Sequence, residues 1–263
     1  MIEFANITKI FGPNPQLIMN MINDGVDNAV INKSKGNTIG LREVSFKLNE
    51  GEILTIMGLS GSGKSTLLKI VNGLIHPTFG YVSLYNKKID NLSSREIREL
   101  RLRSISMVFQ GHALFPHRNV MKNISFGLEL QDSSFNYRSY NFDQILDQVG
   151  LSGFEEYYPH QLSGGMQQRV GLARALATGA PILLMDEPFS SLDSLTRREM
   201  QDLLISLQKR LNKTIIFVTH DFSEALKLGH NMVILRDGEI VQQGKGKEIV
   251  KNPIDDYVRE ILK

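Results

Sequence analysis

Ile53-Leu54-Thr55-Ile56-Met57-Gly58-Leu59-Ser60-Gly61-Ser62-Gly63-Lys64-Ser65-Thr66 reads as a strand, a glycine-rich turn and the first residues of an apolar helix. The run Ile53–Met57 is apolar enough for a strand buried on both faces, as in a parallel sheet. Gly58–Ser65 completes the pattern GxxxxGK[ST] between strand and helix, the context that gives the pattern its meaning. Glycines let the backbone curl so that successive N–H groups face one anion. Lys64 would then reach the β- and γ-phosphates of a nucleotide, and the Ser65 hydroxyl would join a Mg²⁺ shell. A chance glycine-rich loop is the weaker reading once strand and helix both flank it.

A second glycine pair lies in Leu162-Ser163-Gly164-Gly165-Met166-Gln167-Gln168-Arg169. Ser163 is a good N-cap, and Gly164 and Gly165 carry no Cβ, so backbone N–H groups there can close on a phosphate. Met166, Val170, Ala173 and Ala177 predict one apolar stripe of the helix that follows. Its N-terminus would present a hydroxyl, free donors and a positive dipole end. Taken alone, the stretch is better read as an ordinary capped helix. Beside Gly58–Ser65 it reads as the missing half of a nucleotide site.

Two acids follow the apolar run Ile182–Met185. Asp186 and Glu187 stand at a strand end where they can divide the work: Asp186 orients the Mg²⁺ shell and Glu187 polarises an attacking water. Two solvated turn acids are the alternative. Ile105–Phe109 predicts a buried strand that delivers Gln110 at its C-terminal end, where ligands sit in doubly wound sheets. A glutamine there is otherwise a plain surface amide. Ile215–Val218 predicts another buried strand presenting Thr219-His220. A lone histidine is usually structural, but at that edge His220 is a candidate γ-phosphate contact.

Around these motifs, residues 2–11 predict a strand, and Leu41–Leu48 a second with Val44, Phe46 and Leu48 on one face. Residues 13–38 interrupt them, with a short helix expected from Leu17, Ile18, Met21 and Ile22. Gly80–Asn86 suggests a sheet edge, and Ser93-Ser94-Arg95-Glu96 a capping box opening a charged helix to about Arg103. Helical patterning dominates from Gly111 to about Tyr158. Met200, Leu204, Leu207 and Leu211 share a helical stripe, Asp221 and Glu224 suggest a second capping box, and Asp237-Gly238 is a hairpin signal between Met232–Arg236 and Glu239–Gln243. The expectation is an α/β fold: a phosphate-loop core of mainly parallel sheet, with an antiparallel β edge and an inserted helical subdomain. Residues 1–110 would form the first part of the core, 111–178 the helical subdomain and 179–263 the second part.

The bulk composition sets limits. A length of 263 residues suffices for such a core and subdomain. A formal net charge of +2 is too small to argue for a nucleic-acid partner. Without cysteine there is neither disulfide nor thiolate–metal site. The N-terminus does not read as a signal peptide. No apolar stretch approaches the roughly 20 residues that span a bilayer.

Gly58–Ser65, Gln110, Leu162–Arg169, Ile182–Glu187, Ser191-Leu192-Asp193 and His220 together resemble the ATP-binding cassette ATPases, in that family's order and over nearly the whole chain. Ala113–His117 followed by Asn123–Leu128 looks like importer cassettes. Thr8–Gly12, the insertion after it, Ile56–Gly61, Met107–Gln110 and Val170–Arg174 resemble the importer ATPases for glycine betaine, proline and related quaternary amines. The resemblance implies ATP and Mg²⁺, and a head-to-tail pair of cassettes. Each ATP would lie between Gly58–Thr66 of one chain and Ser163–Gly165 of the other, with Asp193 nearby. It implies Glu187 as base, His220 on the γ-phosphate, and Ser65, Gln110 and Asp186 around the metal. Phe11 falls where the family stacks an aromatic on adenine, a place a core phenylalanine also fits. A transmembrane permease, a solute-binding protein reached indirectly through it, and a peripheral place on the cytoplasmic membrane face are implied as well.

The chain departs from that pattern in three places. Gln110-Gly111-His112 replaces the more usual Gln-Ser-aromatic. The paired cystathionine-β-synthase-type modules of many betaine cassettes do not follow before Lys263, so ionic-strength sensing through them is not expected. The insertion 13–38 suggests no chemistry. Other classes fit less well: a non-transport cassette ATPase usually shows two cassettes or a long coiled coil, an exporter a fused membrane domain. A small-molecule kinase sharing the phosphate loop would leave Leu162–Arg169 unexplained.

Overall fold

The computed structural model describes residues 1–26, 30–31, 36–111, 113–132 and 140–262. Its strands are β1 (Ile2–Phe11), β2 (Thr38–Leu48), β3 (Ile53–Met57), β4 (Phe79–Leu84), β5 (Lys87–Lys88), β6 (Ile105–Val108), β7 (Ile182–Asp186), β8 (Thr214–Val218), β9 (Asn231–Arg236) and β10 (Glu239–Gly244). The helices discussed below are α1 (Pro15–Asn23), α2 (Lys64–Val71), α3 (Ser94–Arg103), α4 (Val120–Gln131), α5 (Phe142–Val149), α6 (Gly164–Ala177), α7 (Ser194–Leu211), α8 (Phe222–Leu228), α9 (Gly246–Lys251) and α10 (Asp256–Ile261). Two units are distinguished: Met1–Glu50, Leu54–Ser93 and His220–Lys263 form the first, Gly51–Ile53 and Ser94–Thr219 the second.

In the first unit an antiparallel sheet runs in the order β2-β1-β4-β5, the expected antiparallel part of the fold. β3 pairs in parallel with β9, from Leu54 opposite Asn231 to Met57 opposite Ile234. β9 turns into β10 through Asp237 and Gly238, both with positive φ, which is the hairpin geometry their residue types announce. β2 starts three residues earlier than its alternation indicates. Ile39 and Leu41 are buried together with Val44, Phe46 and Leu48 although the two groups differ in parity. Glu43, at φ 50°, takes up the extra residue, so both halves of the strand face the same core. The edge expected over Gly80–Asn86 ends at Leu84, because Tyr85 and Asn86 are left-handed turn residues leading into β5.

The described part of the insertion buries three isoleucines. Pro15 opens α1, where its missing N–H costs nothing. Ile18, Ile22 and Ile31 pack with Ile10 of β1 and Ile39 of β2. Each such side chain contributes about 1.5–3 kcal/mol to holding the described part of the insertion on the sheet. Arg42 secures the end of α1, donating at 3.5 Å to the carbonyls of Ile22 and Val26 while pairing with Glu239 at 3.3 Å.

The second unit carries the parallel strands β6, β7 and β8, with Ile105 opposite Ile182 and Ile182 opposite Thr214. β7 is buried from Ile182 to Met185 and β8 throughout, as strands covered on both faces must be. The single stripe read for α6 was too narrow. Gly165, Gln168, Gly171, Leu172, Ala175 and Leu176 are buried in addition to Val170, Ala173 and Ala177, whereas Met166 is only half-buried. Helices α4, α5 and α7 and strand β6 all pack on α6, and its glycines and alanines let them approach. The stripe read for α7 holds: Met200, Leu204 and Leu207 are buried and Leu211 is half-buried.

Asn123, fully buried in α4, accepts from the Phe115 N–H at 2.9 Å. It donates to the carbonyls of Phe115, Arg118 and Asn119 at 3.2, 2.9 and 3.1 Å. Arg174 of α6 donates to the Ala113 carbonyl at 2.8 Å. Ala113 and the stretch Phe115–Arg118 are thus held from two helices.

Candidate functional site

The first unit holds the phosphate loop. Gly58 has φ 152°, and a Cβ there would lie 2.4 Å from both the Leu235 carbonyl oxygen and the Ser62 hydroxyl. Gly63 has φ 103°, and its Cβ would lie 2.6 Å from the Gly40 carbonyl. Both positions require glycine for space as well as for conformation. The Lys64 ammonium is buried and donates to the carbonyls of Gly58 and Leu59 at 2.7 and 3.0 Å. Ser62 Oγ is buried and meets no hydrogen-bond partner among the described residues. Gly63 caps α2 without a side-chain hydrogen bond. An orphaned hydroxyl, a buried ammonium and an uncapped helix start fit an anionic group of the phosphate kind. Leu59, Ser60, Gly61 and Ser65 are exposed and Thr66 is half-buried.

Two further predicted residues belong to this unit. Phe11 closes β1 and is 43% exposed, so it is not a core side chain. A Cβ on Gly40 would lie 2.7 Å from the edge of its ring, and the Lys9 ammonium sits 5.2 Å from its centroid. His220 is exposed, directly before Asp221, whose carboxylate caps α8 by accepting from the Glu224 N–H at 3.1 Å.

The second unit carries the acids and the second glycine pair. Asp186 ends β7 opposite Val218, and both Asp186 and Glu187 are half-buried. Glu187 stands at φ 44°, a left-handed conformation that a side chain of its size rarely adopts. Its backbone is held on both sides. Its N–H donates to the Val218 carbonyl at 3.0 Å, and its carbonyl accepts from the Ser190 hydroxyl at 3.0 Å. Backbone strain held in this way clusters at functional sites.

Ser163 caps α6, its hydroxyl accepting from the Met166 N–H at 3.3 Å, and Ser163 and Gly164 are exposed. Gly165 is buried, and a Cβ there would lie 2.4 Å from the Thr196 methyl of α7. The two helix starts therefore touch. Asp193 caps α7, its carboxylate accepting from the N–H groups of Leu195 and Thr196, each at 3.1 Å. The Thr196 hydroxyl, then its N–H, holds the Asp193 carboxyl below its ordinary pKa. Gln110 is exposed two residues beyond β6, which ends at Val108, one residue short of the expected strand end.

The structure thus gathers Gly58–Thr66 in one unit, and Ser163–Gly165 with Asp193 at two touching helix starts in the other. Among the described residues no cluster of three or more His, Asp or Glu side chains forms a metal site of its own. A Mg²⁺ ion held by one carboxylate and substrate phosphates needs no such cluster. Sequence reasoning missed Gly238, whose N–H donates to the Ser62 carbonyl at 3.1 Å, and Tyr257, whose hydroxyl reaches the Leu59 N–H. Gly238 announced only a turn, and nothing local to Tyr257 points to a residue 198 positions earlier.

The family described as ABC transporter matches residues 41–190 of the chain. The chain is 48% identical over 261 residues to the glycine betaine/carnitine transport ATP-binding protein GbuA of Listeria monocytogenes serotype 1/2a (strain 10403S), covering 99% of this chain. It is 46% identical over 262 residues to the glycine betaine/proline betaine transport system ATP-binding protein ProV of Escherichia coli (strain K12), covering all of it. The chain spans 66% of the length of each of these relatives. Among solved structures it resembles the ATP-binding cassette MJ0796, a dimer in a post-hydrolysis state bound to ADP and Pi. The TM-score is 0.76 and the identity 32%, over 93% of this chain and 98% of that one. With the family match running from β2 through the phosphate loop, the Ser163 helix start and the paired acids, the chain belongs to the ABC transporter family.

Proposed function

We propose that the chain is the ATP-hydrolysing subunit of an importer for a small quaternary amine of the glycine betaine class. The observation that carries the enzymatic part is the phosphate loop, with its crowded glycines, buried Lys64 and orphaned Ser62 hydroxyl. Lys64 and the loop N–H groups bind the β- and γ-phosphates of ATP. The Ser65 hydroxyl, Gln110 and Asp186 would hold Mg²⁺, whose charge would offset that of the phosphates. Glu187 takes a proton from the attacking water as it adds to the γ-phosphorus and the bond from that phosphorus to the β,γ-bridging oxygen breaks, leaving ADP and inorganic phosphate, while His220 positions the γ-phosphate. Phe11, exposed at the end of β1, stacks on the base.

The names of the relatives support the amine class, and a dimeric cassette among its structural neighbours supports pairing of two chains. No helix among the described residues is long and apolar enough to cross a membrane. In this reading the relatives' transport-system names support attachment through a transmembrane permease at the cytoplasmic face. The loop braced by Asn123 and Arg174 is a firm element on which such a partner can rest. The solute-binding protein acts from the other side, through the permease.

Two experiments test the parts separately. In membranes holding the chain with its permease and solute-binding protein, ATP hydrolysis should rise with glycine betaine, proline betaine, carnitine or choline, and stay basal with unrelated amino acids and sugars. A response to an unrelated solute alone would refute the amine class. Pairing is tested by Ser163→Arg, which should spare ATP binding to the isolated chain and block closure over a partner's γ-phosphate. Mixed with Lys64→Ala, it should regain activity above either parent, since each mixed pair keeps one intact composite site. Normal hydrolysis by Ser163→Arg alone would mean that the site is not shared.

A further inference from the structure

The last helix of the described chain reaches the back of the phosphate loop. Tyr257 of α10 donates its hydroxyl proton to the Leu235 carbonyl at 2.9 Å and accepts from the Leu59 N–H at 3.4 Å. The Leu235 carbonyl is also the group against which Gly58 packs. Two consecutive loop residues are thus referred to a single carbonyl at the end of β9, Gly58 by contact and Leu59 through the tyrosine. At the far end of the loop, Gly238 of the same hairpin donates to Ser62.

The helix that supplies Tyr257 is itself held firmly. Asp255 caps it, accepting from the Val258 N–H at 2.8 Å. Arg236 pairs with Asp255 at 2.9 Å and lies over the Tyr257 ring, 4.9 Å from its centroid. Val258 is fully buried with Met57, Ala225, Met232, Ile234 and Ile249, and Tyr257 packs against that cluster. Burial raises the pKa of the Tyr257 hydroxyl, so at neutral pH it keeps the proton it donates.

We propose that Tyr257 is a positioning residue for the phosphate loop, its hydroxyl holding the Leu59 N–H to the Leu235 carbonyl and so fixing the first turn of the loop. The inference rests on the reading of Gly58–Thr66 as the ATP site. It assigns α10 a share in nucleotide affinity that neither its composition nor its distance along the chain from the loop suggests. A purely structural tyrosine would contribute its ring to the cluster and nothing to the loop.

Tyr257→Phe keeps the ring and removes the hydroxyl. In the full chain, the Kd for a fluorescent ATP analogue should rise about three- to tenfold, the loss expected for one neutral hydrogen bond. Hydrogen exchange at the Leu59 amide should quicken while that of the buried Val258 amide stays as it was. Wild-type affinity together with wild-type Leu59 exchange would overturn the proposal. A lowered melting temperature with unchanged affinity would overturn it too, leaving Tyr257 a packing residue. Should Tyr257→Phe fail to fold, Arg236→Gln frees the helix from outside and should give a smaller loss in the same direction; no loss there refutes the tie. If the wild-type chain does not bind the ATP analogue at all, the nucleotide reading fails, and the exchange of Leu59 still decides the role of Tyr257.

Discussion

Replacing Glu187 by glutamine is expected to slow ATP hydrolysis by about 10²–10⁴-fold, the usual cost of losing a general base, while ATP binding persists. Glutamine matches the shape of glutamate and can still hydrogen-bond a water, but it cannot take the proton as the water attacks. The backbone of Glu187 is pinned by Val218 and Ser190, contacts that the substitution leaves in place, so the left-handed turn should survive the change. ATP would therefore be bound and not consumed. Two chains closed over it should accumulate as a dimer visible by light scattering. Hydrolysis at near the wild-type rate would remove Glu187 from the mechanism and leave the strained turn unexplained.

Lys64→Ala is expected to weaken ATP binding and to abolish turnover. Removing one preorganised charge or donor from a transition state typically costs about 10²–10³-fold in rate, and here the ground state loses the same charge. The Lys64 ammonium is buried against the carbonyls of Gly58 and Leu59, so water does not substitute for it cheaply. Lys64→Arg separates charge from fit. It retains the positive charge, but its planar guanidinium has a different shape and donor geometry, and it should restore little. ATP titration and steady-state hydrolysis together read both effects. Retained turnover in Lys64→Ala would place the working site elsewhere.

Much of the fold, and the local geometry of the candidate site, was legible because the relevant physics is local. A buried parallel strand leaves an unbroken apolar run, as in Ile53–Met57 and Ile182–Met185, and both runs are strands in the structure. Asp237-Gly238 takes the positive φ angles that its residue types predict. Ser163 caps the helix it was read to cap. Where the reading failed, a distant neighbour decided the outcome. The single stripe on α6 assumed one buried face, and the helix is covered by α4, α5, α7 and β6. β2 was cut short because alternation breaks at Glu43, where the pairing with β1 absorbs an extra residue.

The insertion shows the same division. The spacing of Leu17, Ile18, Met21 and Ile22 announced a helix, and α1 is that helix. That Ile18 and Ile22 pack on Ile10 and Ile39, and that Arg42 ties the helix end to Glu239, depends on residues the chain brings back from elsewhere.

By itself the sequence determined the phosphate loop, the capped helix start at Ser163, the paired acids at Asp186 and Glu187, and through them the family. Each is written in consecutive residues, because a turn, a cap or a strand end is made by atoms a few bonds apart. Only the tertiary structure decided that Glu187 stands in a left-handed turn held by Val218 and Ser190, that Gly165 lies against Thr196, and that Tyr257 reaches Leu59. Those contacts join residues distant along the chain, and a hydrogen bond or a close packing contact exists only once the fold has brought its two sides together.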